Sequence, residues 1–339
     1  MTPWRREDLV ERARHLSPGD RAGTLALARE LAGVEAGLGR GDTWGYFGVL
    51  ATLGSIDLTV ARTLEPHLDA LSILDQAGPD VDLTAIGADA SSTWGVYAAH
   101  GPGARLDAVP QAHGSGWVLD GTKPWCSLAA DLSHAIITAH TGPTSRRAFA
   151  ISLGDGVSSL PGTWVSRGLV DVPSPGLRLE SVAAVPVGED EWYLTRPGFA
   201  WGGIAVAAVW FGAAQALRAR LVAATTHRDP DQIALLHVGH LDSLLFGAET
   251  SLRRAADVID AGRAAGTAGA VLAARVRAVV AAAAETCLSV VGHALGPAPL
   301  TADEEHARRV ADLTVYVRQH HAERDLAALG SLVLESSAS

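Results

Sequence analysis

Apolar residues recur at helical spacing at both ends of the chain and alternate in short runs in its middle. Residues 5 to about 38 carry Leu9, Ala13 and Leu16, then Leu25, Leu27, Leu31 and Val34. From Thr43 to Leu74 the pattern is denser. Leu50, Leu53, Ile56, Val60, Leu64, Leu68, Leu71 and Leu74 return every three or four residues, as in a mostly buried helix. Pro66 lies inside this run, where its missing N–H and its ring would kink or split a helix. The stretch Gln76-Ala-Gly-Pro-Asp80 stops it.

From Thr93 to Leu194 short runs rich in Val, Ile, Thr and Trp alternate with Gly, Pro and Asp. Trp117-Val-Leu-Asp-Gly-Thr-Lys123 reads as a strand, a tight Asp-Gly turn and the next strand. Strands are also predicted at residues 135–139, 148–152 and 176–180. Strands at this spacing suggest a small barrel or sandwich.

Helix returns from Gly198. Runs dominated by Ala, Leu and Val cover Ile204–Thr226, Gln232–Ala261 and Ala268–Gly292, and a fourth extends from Ala302 to about Leu334. Four long helices with short connections make an antiparallel bundle. The expected architecture is α+β and mostly helical. It divides into an N-terminal helical domain (1–90), a central small β-barrel or sandwich domain (91–195) and a C-terminal four-helix bundle (196–339).

Composition narrows the class. With 37 Asp+Glu against 27 Lys+Arg, the net charge of −10 argues against a nucleic-acid-binding surface, which must be basic. Two cysteines, Cys126 and Cys287, make no disulfide framework and point to a reducing cytoplasm. No segment approaches about 20 apolar residues free of charge, so no membrane span is expected. The start, Met-Thr-Pro-Trp-Arg-Arg-Glu-Asp, lacks the apolar core of a secretory signal.

The commonest chemical fingerprints are missing. There is no GxGxxG after a strand, no GxxxxGK[ST], no HExxH, no CxxC and no GxSxG. His237 and His240 share a helix face but have no paired carboxylates nearby in sequence, so a polar helix face is expected and no metal site is predicted. Adjacent His320 and His321 point in different directions on a helix. Gly101-Pro-Gly103 is either a plain turn or a loop whose N–H groups meet a phosphate. Trp125 and Ser127, at the end of a strand, would face one side, as core residues or as the lining of a flat ligand.

The segment Gly114-Ser-Gly-Trp-Val-Leu-Asp-Gly-Thr-Lys-Pro-Trp-Cys-Ser127, followed by Ala129-Ala-Asp131, resembles the G-W-x-L-x-G-x-K-x-W-x-[ST] hairpin of the acyl-CoA dehydrogenases. Three further segments are similar to that family in the same order. They are Leu177–Pro186, Thr195–Phe199 leading into Gly212–Leu217, and Asp312–Val317. The resemblance spans roughly residues 45 to 335. It implies FAD bound between the β-domain and the bundle, usually across a subunit interface. Trp125 would pack near the isoalloxazine and Ser127 would hydrogen-bond near its N5. Flavin chemistry needs an apolar stacking surface and a donor that stabilises the reduced ring. Tyr97 takes a hydroxyl position in the strand before the glycine loop, and Gly103 lies in that loop.

The departures from the family are specific. The glutamate that removes the substrate's α-proton there is replaced by His320 when aligned from Asp312, or by Val317 when aligned from Tyr316. The alternative glutamate position holds Trp201-Gly-Gly203. A neutral imidazole at His320 suits proton abstraction near neutral pH. The cofactor turn R-x-x-F-G is His227-Arg-Asp-Pro-Asp231, with Arg228 left as a phosphate contact, and G-G-x-G-[FY] is Gly292–Gly296.

The resemblance therefore implies an FAD-dependent oxidoreductase acting by default on an acyl-CoA or other acyl thioester. The chain would be a homodimer or homotetramer, with an unidentified electron-transfer partner. Two alternatives stay open: a flavin monooxygenase or oxidase on the same scaffold, and a non-catalytic partner subunit.

Overall fold

The computed structural model describes residues 6–337 apart from 17–18, 32–36, 112–115, 163 and 228. Val34, Arg228 and the Gly114–Ser115 opening of the hairpin segment lie outside the described residues.

Four helices lead the chain: α1 (Arg6–His15), α2 (Arg21–Leu31), α3 (Thr43–Ile56) and α4 (Leu58–Ala77). The long apolar run is split at Asp57, not at Pro66. Asp57 caps α4 by accepting from the Val60 N–H. Pro66 sits inside α4, which continues through it. Having no N–H, Pro66 leaves the carbonyl of Arg62 without its i→i+4 donor.

Seven strands follow: β1 (Trp94–Tyr97), β2 (Leu106–Pro110), β3 (Trp117–Lys123), β4 (His134–His140), β5 (Arg146–Ser152), β6 (Val157–Ser159) and β7 (Leu177–Val187). Pairings run β4–β2–β3–β7–β5 and back to β4, so five strands close a small barrel. β1 is added beside β4 and β6 beside β7. Trp117–Lys123 is one strand, not two. Its Asp-Gly pair forms a bulge against β7, with Gly121 at φ +128° and Asp120 accepting from the Ser181 N–H.

The C-terminal part comprises α5 (Trp192–Thr195), α6 (Pro197–Thr226), α7 (Gln232–Asp260), α8 (Gly266–Leu295), α9 (Ala298–Ala302), α10 (Glu304–Tyr316) and α11 (Glu323–Ser337). The predicted single helix 302–334 is broken. A 3₁₀ turn at Val317–Gln319 ends α10, and Ala322 at φ +48° precedes α11. The break turns residues 317–321 toward the β-domain side of the bundle, where Arg318, Gln319 and His321 line a cavity.

By length and composition α6 and α8 could each cross a membrane. Here α6 lies buried against α3 and α8. Close approach of α3 and α6 rests on two glycines. A Cβ at Gly212 would stand 1.8 Å from the Ala51 carbonyl oxygen, and one at Gly54 would stand 2.3 Å from that of Val209.

α4 bridges the two halves. Val60, Ala61, Leu64 and Leu68 join the helical core, whereas Ala70 and Ile73 pack with Trp94, Ile136 and Val185 on the barrel's outer face. One helix is thus clamped by both layers, and its polar stripe is held rigidly between them.

Candidate active site

A cavity of about 840 Å³ lies where α4, the barrel and the C-terminal turn meet. That volume suits a cofactor ring with a small substrate.

One wall comes from the segment after β3. Trp125 has φ 60°, in the left-handed region that bulky residues avoid, and Leu128 has φ 57°. The strand ends at Lys123, so Trp125 and Ser127 are not placed by strand alternation. The unusual backbone does it instead: both line the cavity, with Trp125 59% exposed and Ser127 buried. Tyr97 is buried and does not line the cavity. Its hydroxyl donates to the Ser127 carbonyl at 3.0 Å and so fixes that segment. The Ser127 hydroxyl receives Arg62 Nη2 at 3.2 Å and lies 2.7 Å from the Ser174 hydroxyl. Ser174 can give its proton to the Val172 carbonyl at 3.1 Å. In that arrangement Ser127 donates to Ser174; when Ser174 donates to Ser127 instead, the Ser127 proton can turn to a ligand acceptor.

An adjoining wall is charged. Arg62, Glu65 and Asp69 lie at i, i+3 and i+7 on one face of α4, and all three line the cavity. Glu65 is buried. Its Oε2 accepts from the Tyr316 hydroxyl at 3.3 Å and lies 3.6 Å from Arg62 Nη1. Oε1 receives no hydrogen bond from any described residue. Burial pushes the Glu65 carboxyl up to about 7, against the pull of Arg62. Burial also raises Asp69, whose nearest cation is Arg196 at 3.9 Å and whose Oδ1 is buried without a hydrogen bond.

A third wall is the loop carrying Trp164, Leu169, Val172 and Ser174. Asp312 of α10 accepts the Leu169 N–H, and Arg308 joins Asp57, Asp171 and Asp312. Burial raises Asp312 to about 6. Arg277 of α8 donates to the carbonyls of Gly203 at 2.7 Å and Gln319 at 2.9 Å, holding the C-terminal turn against α6.

The other sequence-derived positions fall elsewhere. His320 is buried and does not line the cavity, and burial lowers its pKa; its neighbour His321 is the lining residue. Gly103, at φ +75°, belongs to a turn closed by the Ala104 N–H on the Gly101 carbonyl at 3.2 Å, and it does not line the cavity. The described residues hold no group of three or more His, Cys, Asp or Glu arranged for a metal ion.

Sequence reasoning missed Arg62, Glu65 and Asp69. The signal was there: three charges on one stripe of a helix otherwise read as buried. Two of them lie near the positions where the resemblance places a glutamate. Glu65 meets Tyr316 at the C-terminal turn. A Cβ at Gly202 would stand 3.2 Å from Asp69 Oδ1.

No protein-family model matches the chain, and no curated protein matches it in sequence. Solved structures do match in shape. TdsC from Paenibacillus sp. A11-2, in complex with FMN and indole, is 16% identical over 98% of this chain and 94% of its own, with a TM-score of 0.78. Butyryl-CoA dehydrogenase from Megasphaera elsdenii is 18% identical over 97% and 98%, with a TM-score of 0.76. KijD3 in complex with dTDP is 19% identical over 98% and 94%, with a TM-score of 0.78. The likeness is one of fold, and that fold is the acyl-CoA dehydrogenase fold.

Proposed function

We propose that this chain is a flavin-dependent oxidoreductase acting on a small molecule inside the cavity. The observation that carries this reading is the pairing of a flat aromatic, Trp125, with a hydroxyl, Ser127, on one wall of a cavity of about 840 Å³. Those residues fit a flavin. Trp125 would flank the ring, Ser127 would donate to its edge, and Tyr97 would hold Ser127 in place. A bound flavin supplies a two-electron acceptor for hydride. Fold likeness supports the reading, since TdsC and KijD3 have been solved with FMN. FAD is the flavin that the sequence resemblance implies, and Gly103 remains a proposed contact for its phosphates.

The substrate class follows from the lining. Arg62, Glu65, Asp69, Arg318 and His321 in one cavity favour a compact polar molecule over a long acyl chain. Short acyl thioesters remain the default. Flavin monooxygenase or oxidase chemistry is the second reading, favoured by the same charged lining. We also propose a homodimer or homotetramer, because α7 exposes Ile233, Leu235, Leu236 and Phe246.

The test is the visible spectrum of the purified chain, followed by equilibrium dialysis against FAD and FMN. A yellow protein retaining about one flavin per chain supports the proposal. A colourless protein that binds neither flavin leaves only the reading of a non-catalytic subunit.

A further inference from the structure

Glu65 is the one carboxyl in the cavity that is buried, held at one oxygen and free at the other. Tyr316 and Arg62 both engage Oε2, at 3.3 and 3.6 Å, while Oε1 has no partner among the described residues. A contact path runs along the cavity lining: Ser127 Oγ to Arg62 at 3.2 Å, Arg62 to Glu65, and Glu65 to Tyr316. Ser127 and Glu65 thus meet on one guanidinium, and a molecule in the cavity beside Ser127 and the Trp125 ring shares that cavity with the Glu65 carboxyl. We propose that Glu65 is the proton acceptor of this site, taking a proton from a substrate held in the cavity that it lines with Trp125 and Ser127.

This inference rests on the flavin reading above. A two-electron oxidation breaks two bonds to hydrogen in the substrate. One hydrogen leaves as a hydride with both electrons, to the flavin. The other leaves as a proton to Glu65 Oε1, and the carboxylate becomes a neutral acid. The proton then passes to solvent at the open side of the cavity, where Trp125 is exposed. Tyr316 can donate to Oε2 in both states, so the acceptor stays oriented through the cycle. Arg62 limits the cost of the ionised form.

The charged and titratable groups facing Glu65 come from several elements. Arg62 and Asp69 share its helix, Tyr316 comes from α10, Arg277 from α8, Tyr46 from α3 and Tyr193 from α5. Burial outweighs the two arginines and holds the carboxyl at about 7. A group there is ready to gain or lose a proton near neutrality.

The test uses the full chain loaded with the flavin that it retains, as wild type, Glu65→Gln and Tyr316→Phe. The flavin midpoint potential is measured from pH 5.5 to 8.5. The wild-type and Glu65→Gln curves are expected to coincide at the acid end, where Glu65 is neutral. The wild type should fall below the variant as pH rises through about 7, because the ionised carboxylate opposes added electrons. Tyr316→Phe should shift that divergence to higher pH, since a donor to the charged form is lost. With butyryl-CoA as probe, any flavin reduction seen in the wild type should slow 10²–10⁴-fold in Glu65→Gln, the range of a lost general base. Flavin retained with superimposable potential curves would overturn the assignment alone. So would undiminished reduction of Glu65→Gln by a probe that reduces the wild type. A chain that retains no flavin would overturn the functional reading and this inference with it.

Discussion

The hydroxyl of Tyr316 donates to the buried carboxyl of Glu65 across 3.3 Å, joining the last turn of α10 to the middle of α4 over 251 positions of sequence. Neither partner can be exchanged without consequence. The phenol would lose its acceptor, and the carboxyl would lose its only neutral donor among the described residues. The pair sets the first of the expected outcomes.

Glu65→Gln should change the pH dependence of stability. The folded carboxyl titrates at about 7, against 4.5 for the free group. Between those values the folded chain holds a proton that the unfolded chain has released, so wild-type stability falls as pH rises and levels off above about 7. The glutamine variant lacks this loss. Its stability relative to wild type should climb by up to about 3 kcal/mol from pH 4.5 to 7, at about 1.4 kcal/mol per pH unit. Urea melts at a series of pH values give the difference. A flat difference would mean that Glu65 is not held neutral by burial.

Trp125→Ala should reduce flavin retention. Trp125 reaches the cavity only through a left-handed backbone that costs on the order of 1–3 kcal/mol. A residue kept in such a conformation while 59% exposed is not explained by core packing. Loss of the ring removes an aromatic surface for stacking. Equilibrium dialysis should show weaker binding, and unchanged affinity would remove Trp125 from the flavin site.

Arg308→Ala should loosen the loop that walls the cavity. Its guanidinium serves Asp57, Asp171 and Asp312 together and donates to Thr59 at 2.7 Å. Removal leaves Asp312 buried beside two other carboxylates. Uncompensated buried charge of this kind costs about 3–5 kcal/mol. Denaturant melts should show a loss of that order, and a loss under 1 kcal/mol would mean that the cluster is held by other contacts.

The chain should be at least dimeric. Phe246 is 72% exposed on α7, and Val279 is exposed on α8. Light scattering at micromolar concentration should report twice the chain mass or more. A monomer mass would leave these faces without a partner of their own kind.

The layered architecture was legible in the sequence because it rests on local periodicity. Leu64 and Leu68 mark the buried face of α4, and the alternation of residues 135–139 and 148–152 marks β4 and β5. Three features misled. Asp120-Gly121 has the composition of a hairpin turn, yet the same positive φ serves a bulge, and only pairing with β7 decides between them. Pro66 signalled a break that occurs at Asp57, where a capping carboxylate was the better sign. The run 302–334 carries no Gly or Pro at its break, so Ala322 gave no warning.

The site was half legible. Trp125 and Ser127 came from a resemblance in a contiguous segment. Glu65 did not, because what distinguishes it is the company of Tyr316 and Ser127 in space. A carboxylate on a buried stripe is the trace such a residue leaves in sequence. Here it was masked by a strong leucine pattern around it.

The central claim is that a flavin ring lies against Trp125 and Ser127 with Glu65 within reach of a substrate in the same cavity. A crystal structure of the chain grown with the flavin that it retains tests this most directly. The expected result is the ring beside Trp125, the Ser127 hydroxyl within hydrogen-bond reach of the ring edge, and the Glu65 carboxyl facing a gap beside the ring large enough for a small molecule. A flavin bound elsewhere, or a ring in the cavity that shuts Glu65 off from the substrate space, would contradict it.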